Sequence, residues 1–169
     1  MQIQNSIITD IDEIFRLYDF ASAHQRSKGV VVWPKFERSL VETELAEKRQ
    51  WKLIIDNTIA CVWATTFTDE EIWGEKNKDA AVYIHRIATN PQHRGHNFVS
   101  IITEWAKEYA KANTKDYVRL DTLGNNTKLI EHYTNAGFTF PGIHHLTNTA
   151  SLPLHYQKEP NACLFEIRL

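Results

Sequence analysis

The fold is decided by the stretch IHRIATNPQHRGHN, at residues 84–97. The apolar run that ends inside it predicts a strand over residues 80–88, and Pro91 ends that strand. Apolar side chains then recur at helical spacing from Phe98 to Tyr109, which predicts an amphipathic helix. A second strand is predicted at residues 117–121. This order predicts two parallel strands joined by a right-handed helical crossover.

Further elements are predicted on both sides of this unit. Asp10 is expected to cap a first helix, Pro34 to open a second, and Asp56-Asn57 to turn a β-hairpin. A helix that begins at Thr127 is closed by Gly137. The remaining predicted strands are residues 3–8, 51–55, 59–67, 138–140, 143–146 and 163–169, and the predicted loops are residues 68–79 and 148–161. Together they predict an α/β (α+β in some schemes) protein of one domain, residues 1–169, with a mixed sheet and helices on both faces.

The bulk composition excludes several classes of protein. The 169 residues include 19 basic and 21 acidic side chains, a net charge of −2, and no basic stripe that would predict nucleic-acid binding. No positively charged, apolar leader opens the chain and no apolar run approaches membrane-spanning length. Cys61 and Cys163 each lie in an apolar, strand-like run, and we expect both to be buried and reduced. A cytoplasmic protein without a membrane or nucleic-acid partner is therefore expected.

The loop at residues 92–97 has the composition of an anion site. Gly95 lets the backbone approach a ligand closely, and Arg94 offers a charge-assisted contact. The helix that follows presents unpaired N–H groups and a partial positive charge at its first turn, which suits a pyrophosphate. Taken alone, a glycine between a strand and a helix more often marks an ordinary turn than a phosphate site. The later glycines of a Walker loop or a dinucleotide fingerprint are missing, so neither is predicted.

Two motifs together resemble the GNAT superfamily of N-acetyltransferases. The acetyl-CoA signature of that family is Gln or Arg, two residues, Gly, one residue, then Gly or Ala; here it is QHRGHN at residues 92–97. The family's second signature resembles NTKLIEHYTNAGF at residues 126–138, and residues 7–14 resemble its first helix. The resemblance extends from about residue 3 to Phe140. Asn97 departs from the Gly or Ala of the family, and Thr89 from a more usual aliphatic residue.

The resemblance implies a mixed, mostly antiparallel, twisted sheet with helices on both faces and a splayed central pair of parallel strands. It implies an enzyme that uses acetyl-CoA as co-substrate and acetylates a primary amine by direct attack. Pantetheine would bind the backbone of Ile87, Ala88 and Thr89. The pyrophosphate would lie on Arg94, Gly95, His96, Asn97, Phe98 and Val99. Asn126 would contact the cofactor, cap its helix, or do both.

The same resemblance implies that Tyr133 protonates the thiolate leaving group. An aromatic packed on its helix is the structural alternative for this residue. His85 is the first candidate for the general base, because it lies on the central strand two residues before Ile87 and so on the same face. A purely structural histidine is the alternative. Tyr83 is a candidate for lining the acceptor site, and Asp121 is a further candidate for the base.

The acceptor is not identified by the sequence beyond a small-molecule or peptide amine. The acidic run at residues 69–71 could attract a cationic amine, or it could be a solvated loop. His144, His145, His155 and Tyr156 lack conventional ligand spacing, so no metal site is expected. A homodimer is a further expectation. A non-catalytic acyl-CoA-binding module and a ligand-free interaction domain remain alternatives to the enzyme.

Overall fold

The computed structural model describes residues 1–147, 149–150 and 152–169. The seven strands are β1 (Gln2–Asn5), β2 (Gln50–Ile55), β3 (Thr58–Thr66), β4 (Ala81–Thr89), β5 (Tyr117–Leu123), β6 (Ile143–His145) and β7 (Asn161–Arg168). The α-helices are α1 (Ile11–Ser27), α2 (Arg38–Ala46), α3 (Glu70–Trp73), α4 (Phe98–Ala112), α5 (Thr127–Asn135) and α6 (Leu154–Lys158). Two compact units are formed, a first unit of residues 1–65 and 85–98, and a second unit of residues 66–84 and 99–169.

The first unit contains strands in the order β1-β2-β3-β4. The pairs β1–β2 and β2–β3 are antiparallel, as the predicted hairpin requires. Asp56 and Asn57 have φ of 47° and 59°, the left-handed values that a two-residue hairpin turn needs. The core of this unit includes Ile14 and Leu17 of α1, both fully buried, together with Val62 of β3. The hairpin prediction is confirmed.

Two helix starts in the first unit differ from the prediction. Asp10 does not cap α1 with its side chain; its carboxylate accepts from the N–H of Ile7 at 2.8 Å and from Lys52 Nζ at 2.6 Å. Pro34 does not open α2, which begins at Arg38 after an extended residue. The intervening segment is held by aromatic packing instead, because Trp33 and its neighbour Phe36 both meet Tyr18 edge to face.

The second unit contains the order β4-β5-β7-β6, with the first half of β4. β4 pairs with β5 in parallel from Ala81–Tyr117 to Ile84–Leu120, as predicted. This ladder ends there, although β5 continues to Leu123. β5–β7 and β6–β7 are antiparallel, so most pairs in the sheet are antiparallel.

Three segments of the second unit are corrected by the structure. The predicted loop at 68–79 contains α3 and a 3₁₀ turn, because Ile72 and Trp73 are buried in the core of the unit. Residues 138–140 form no strand but a single bridge from Thr139 to Glu166, and Pro141 follows at once. The predicted loop at 148–161 contains α6, while its residues 148 and 151 lie outside the described residues.

Helix α5 has the ends that its sequence predicts. Asn126 caps it by accepting from the N–H of Leu129 at 3.2 Å. Gly137 follows its C-terminus with φ of 98°, and the N–H of Phe138 closes the last turn on the carbonyl of Tyr133 at 3.2 Å. Nothing lies within 4 Å of the position of a Gly137 Cβ, so the backbone angle alone requires glycine there. No helix in the described part of the chain combines the length and the apolar character needed to cross a membrane.

Candidate active site

The second half of β4 is irregular at Arg86. Its φ is 51°, in the left-handed region that a side chain with a Cβ rarely occupies. Ile87, Ala88 and Thr89 follow directly and complete the strand. Ala88 is buried, and the Thr89 hydroxyl lies 3.8 Å from Cys61 Sγ, so the threonine that departs from the family pattern has a partner on the neighbouring strand.

The Arg86 side chain is held by groups from both helices of the first unit. Its Nη2 donates to Glu44 of α2, and its Nε lies 3.3 Å from the hydroxyl of Tyr18 on α1. The guanidinium also lies over the Phe36 ring, 5.3 Å from the centroid. Burial disfavours the charged form, but Tyr18 and Glu44 outweigh that cost and raise the pKa of Arg86. Gln50 completes this network by donating to Glu44 at 2.8 Å and to Tyr18 at 3.0 Å.

His85 is partly buried beside this network. Burial lowers the pKa of its imidazole to about 3, and the charges of Arg86 and Arg49 act in the same direction. The imidazole is therefore neutral at pH 7. A neutral ring can accept a proton, but a group with this pKa holds one only briefly.

The loop after β4 begins at a buried anchor, Asn90. Its N–H donates to the carbonyl of Ala60 at 2.9 Å, its side-chain amide donates to the carbonyl of Ile59 at 3.0 Å, and its side-chain oxygen accepts from the N–H of Gln92 at 3.1 Å. These three bonds attach the start of the loop to β3 and begin the 3₁₀ turn Pro91–His93. Asn90 is 1% exposed, so the anchor is part of the core.

The rest of the loop is open to solvent. Residues 94–97 are all exposed, whereas Phe98, the first residue of α4, is buried. Gly95 has φ of 93° and Asn97 has φ of 44°, so two left-handed residues precede the helix within three positions. Every predicted pyrophosphate residue therefore lies in this loop or the first turn of α4.

Tyr133 lies on α5 in the second unit and is 9% exposed. Its ring packs on Phe165 of β7 at 5.0 Å between centroids and on Phe138 at 6.0 Å. The aromatic packing that was the structural alternative is thus present, and it fixes the ring without assigning the hydroxyl a role. The caps at Asn126 and Gly137 fix the helix that bears it.

Two carboxylates of the second unit form a close pair. Oxygens of Asp69 and Asp121 lie within 4.8 Å of each other, and Tyr156 Oη donates to Asp121 at 2.9 Å. Burial and the facing charge of Asp121 raise the pKa of Asp69, with a smaller effect from Glu71. Burial also raises the pKa of Asp121, against the Tyr156 hydrogen bond. The pair therefore retains a proton at pH values where exposed aspartates have lost theirs.

A cavity of about 360 Å³ lies beside α3 in the second unit. Its lining includes Glu70, Glu71 and His144, with apolar surface from Ile72 and Leu146. The acidic run that the sequence singled out is thus divided: Asp69 is partly buried and belongs to the carboxylate pair, while the next two residues line a concave surface.

The sequence did not single out three residues of this region: Glu44, Arg86 and Asn90. A signal existed only for Asn90, since Asn-Pro often starts a turn. Arg86 looks like an ordinary strand residue, and the glutamate that pairs with it is distant in the chain. Of the predicted residues, His85 and residues 87–98 lie in the first unit, and Val99, Asn126 and Tyr133 in the second.

Solved structures with a similar fold include acetyltransferases. The structure of a GNAT-family acetyltransferase from Listeria monocytogenes is similar at a TM-score of 0.80 and 18% identity, covering 99% of this chain and 94% of that one. The structure of yncA from Salmonella typhimurium with its cofactor acetyl-CoA has a TM-score of 0.70 at 11% identity, covering 99% and 93%. At these identities the likeness establishes the fold.

A curated relative is the uncharacterized N-acetyltransferase YesJ of Bacillus subtilis. It is 26% identical over 74 residues, which are 44% of this chain and 41% of the relative, so the match spans less than half of each. The family model for the acetyltransferase (GNAT) family matches residues 12–138. The chain therefore belongs to the GNAT family of acetyltransferases, whose co-substrate is acetyl-CoA.

Proposed function

We propose that this protein transfers the acetyl group of acetyl-CoA to a primary amine by direct attack. The observation that supports it best is the exposed loop of residues 94–97, with its two left-handed residues, immediately before α4. Successive N–H groups in such a loop can point the same way and surround an anion. The buried anchor at Asn90 holds the start of that loop in place before any ligand binds.

In this proposal the pyrophosphate binds Arg94, the backbone of residues 95–97, and the first turn of α4. That turn has N–H groups without helical partners and a partial positive charge. The pantetheine arm hydrogen-bonds the backbone of residues 87–89. The N–H of Ile87 donates to the thioester carbonyl oxygen, on which negative charge develops during attack.

The proposed reaction balances without a redox step. The amine nitrogen forms a bond to the carbonyl carbon, the carbon–sulfur bond breaks, and the sulfur leaves as a thiolate. Tyr133 gives its phenolic proton to that sulfur. The proton lost by the amine passes through water to neutral His85. The Asp69–Asp121 pair is a second acceptor for it, since its raised pKa lies closer to neutrality.

The acceptor in this proposal is a small-molecule or peptide amine. A cationic amine suits the second unit electrostatically, because Glu70 and Glu71 line a concave surface there. An amine must lose its proton before it attacks. A nearby proton acceptor therefore matters as much as charge attraction.

The test begins with thermal unfolding in the presence of acetyl-CoA. A ligand at about 100 times its Kd stabilises the native state by about 2.7 kcal/mol. That should raise Tm by roughly 5–10 °C for a chain of this size. Acetyl transfer to a panel of polyamines, amino acids and peptide N-termini is then followed by the free thiol released. No shift in Tm and no transfer across the panel would refute the proposal.

The Tyr133→Phe variant tests whether Tyr133 is the general acid that protonates the leaving thiolate. We expect kcat to fall by about 10²-fold or more, the usual contribution of a positioned general acid. The KM for acetyl-CoA and the Tm should change little, because the phenyl ring retains its packing on Phe165 and Phe138. Tyr109→Phe, on the partly buried face of α4, is the matched control and should leave kcat unchanged. An unchanged kcat in Tyr133→Phe would show that Tyr133 is not the general acid.

A non-catalytic acyl-CoA-binding module is the second candidate. Asn97 favours it, because its exposed side chain stands where the family has Gly or Ala. This candidate predicts the same rise in Tm with acetyl-CoA but no transfer to any amine. The two assays above therefore separate the candidates.

A further inference from the structure

Arg86 adopts a backbone conformation that an arginine does not choose by itself. Six non-glycine residues in the described part of the chain have positive φ: Lys48, Asp56, Asn57, Arg86, Asn97 and Thr114. Five of them lie between elements, where turns require such angles, whereas Arg86 lies within β4. Its Cβ crowds the backbone in this conformation, so the surroundings must hold it there.

The groups that hold it are the partners of its side chain: Glu44 of α2, Tyr18 of α1 and the ring of Phe36. We call these three residues the Arg86 clamp. The Arg86 side chain is only 15% exposed and that of Glu44 only 4%, so solvent competes weakly for either charge. Three separate segments of the first unit thus hold one guanidinium.

We propose that Arg86 is a positioning residue, and that the clamp holds the left-handed turn of β4 which directs the N–H of Ile87. This inference rests on the proposed function, in which that N–H stabilises the thioester oxygen. In a regular strand, successive N–H groups point to opposite sides. A left-handed residue breaks that alternation, as in a β-bulge, and re-aims the groups next to it.

The guanidinium itself is not needed for chemistry under this proposal. It is already engaged by a carboxylate and a phenol, and its role is to keep φ of Arg86 positive. Glycine adopts positive φ without a clamp, whereas alanine does not. Comparing glycine with alanine at position 86 therefore separates the effect of the backbone conformation from the effect of losing the arginine side chain.

The experiment compares Arg86→Gly with Arg86→Ala. Each is also made in a Glu44→Gln background, because without Arg86 the buried Glu44 carboxylate is left with the more distant Arg49, at 3.7 Å, as its charged partner. We expect Arg86→Ala to lower kcat by about 10²-fold, the cost of losing one oxyanion donor, with little change in the KM for acetyl-CoA. Arg86→Gly should recover at least tenfold of that loss. Both variants lose the same contacts, so a difference between them reports the backbone.

A second readout does not depend on activity. The ¹⁵N–¹H resonance of the Ile87 amide should keep its position in Arg86→Gly and move in Arg86→Ala. Equal kcat in the two variants, or wild-type kcat in Arg86→Ala, would overturn the inference. If Arg86→Ala does not fold, Glu44→Gln alone decides: a fall in kcat supports the clamp and an unchanged kcat overturns it. A wild-type protein without transferase activity would contradict the proposed function, while the amide shifts would still test the clamp.

Discussion

Replacing Arg119 by lysine would keep a positive charge in the core of the second unit but remove its planar, forked shape. Arg119 lies on β5 and is 1% exposed. Its guanidinium lies over the rings of both Trp73 and Tyr117, at 4.6 Å and 4.5 Å from their centroids. A lysine ammonium has no planar face to stack on these rings.

The polar contacts of Arg119 are as specific as its packing. Nε donates to Glu166 at 3.2 Å, Nη2 pairs with Asp79, and Nη1 donates to the carbonyl of Lys76 at 2.6 Å. Nη1 also lies 3.3 Å from the Tyr83 hydroxyl. These acceptors lie around the three nitrogens of the planar guanidinium. A single ammonium can approach one carboxylate closely but cannot span both.

The magnitude follows from what lysine loses. One charge-assisted hydrogen bond contributes about 1.5–3 kcal/mol. Stacking of a desolvated cation on aromatic rings adds about 1–2 kcal/mol. Lysine recovers part of the Coulomb energy, so we expect Arg119→Lys to lower the free energy of unfolding by about 2–4 kcal/mol. In a chain of this size that corresponds to a fall in Tm of roughly 5–15 °C.

Chemical denaturation by urea, followed by tryptophan fluorescence, measures this change. Arg168→Lys is the matched control, because Arg168 is exposed on β7, and surface changes usually stay within about 0.5 kcal/mol. The m-value should be the same in all three proteins. If the free energy of unfolding falls no further in Arg119→Lys than in the control, the argument is refuted, since a positive charge alone would then suffice at this position.

Two further predictions concern the loop and the carboxylate pair. Asn97→Gly should bind acetyl-CoA at least as well as the wild type, whereas Asn97→Ala should bind several-fold more weakly, because only glycine takes φ of 44° without strain. Calorimetric titration measures both affinities, and equal affinities of the two variants would contradict this prediction. Burial raises the pKa values of Asp69 and Asp121, and the charge of Asp121 adds to the rise at Asp69, so the folded state binds more protons than the unfolded one. The contribution of this pair to stability is then greatest at acid pH and falls as pH rises through the raised pKa values. Asp69→Asn should reduce the fall in Tm between pH 5 and pH 8, while exposed Asp116→Asn should not; a wild-type fall in Asp69→Asn would argue against the shared proton.

Local signals predicted the elements whose ends depend on local chemistry. The hairpin at Asp56-Asn57 and the close of α5 at Gly137 are confirmed, because in each case one or two residues fix the backbone angle. The parallel pairing of β4 and β5 is also confirmed, since the order of elements constrains it. These features need no knowledge of distant contacts.

Distant contacts explain where prediction was wrong. Pro34 lies in a suitable place for a first helical turn, yet Trp33 and Phe36 pack on Tyr18, and the helix begins only at Arg38. Asp10 resembles a cap, but its carboxylate pairs with Lys52, which is 42 residues away. The predicted roles of His85, Tyr133 and the cofactor loop stay predictions.

Asn97 differs from the Gly or Ala of the family in residue type, but it still allows the left-handed backbone conformation found at this position. Its φ of 44° belongs to the region that glycine occupies freely, and asparagine tolerates that region better than most other residues. The loop can therefore keep its shape without the glycine. Arg86 satisfies the same kind of demand on β4 in a different way, because its own side chain contacts hold the backbone. Arg86 and Asn97, two of the six non-glycine residues with positive φ in the described part of the chain, stand at the two ends of the predicted cofactor segment. Departures from local backbone preference are expected at functional sites. This agreement between strain and proposed chemistry favours an active cofactor site over one that the exposed Asn97 side chain has closed.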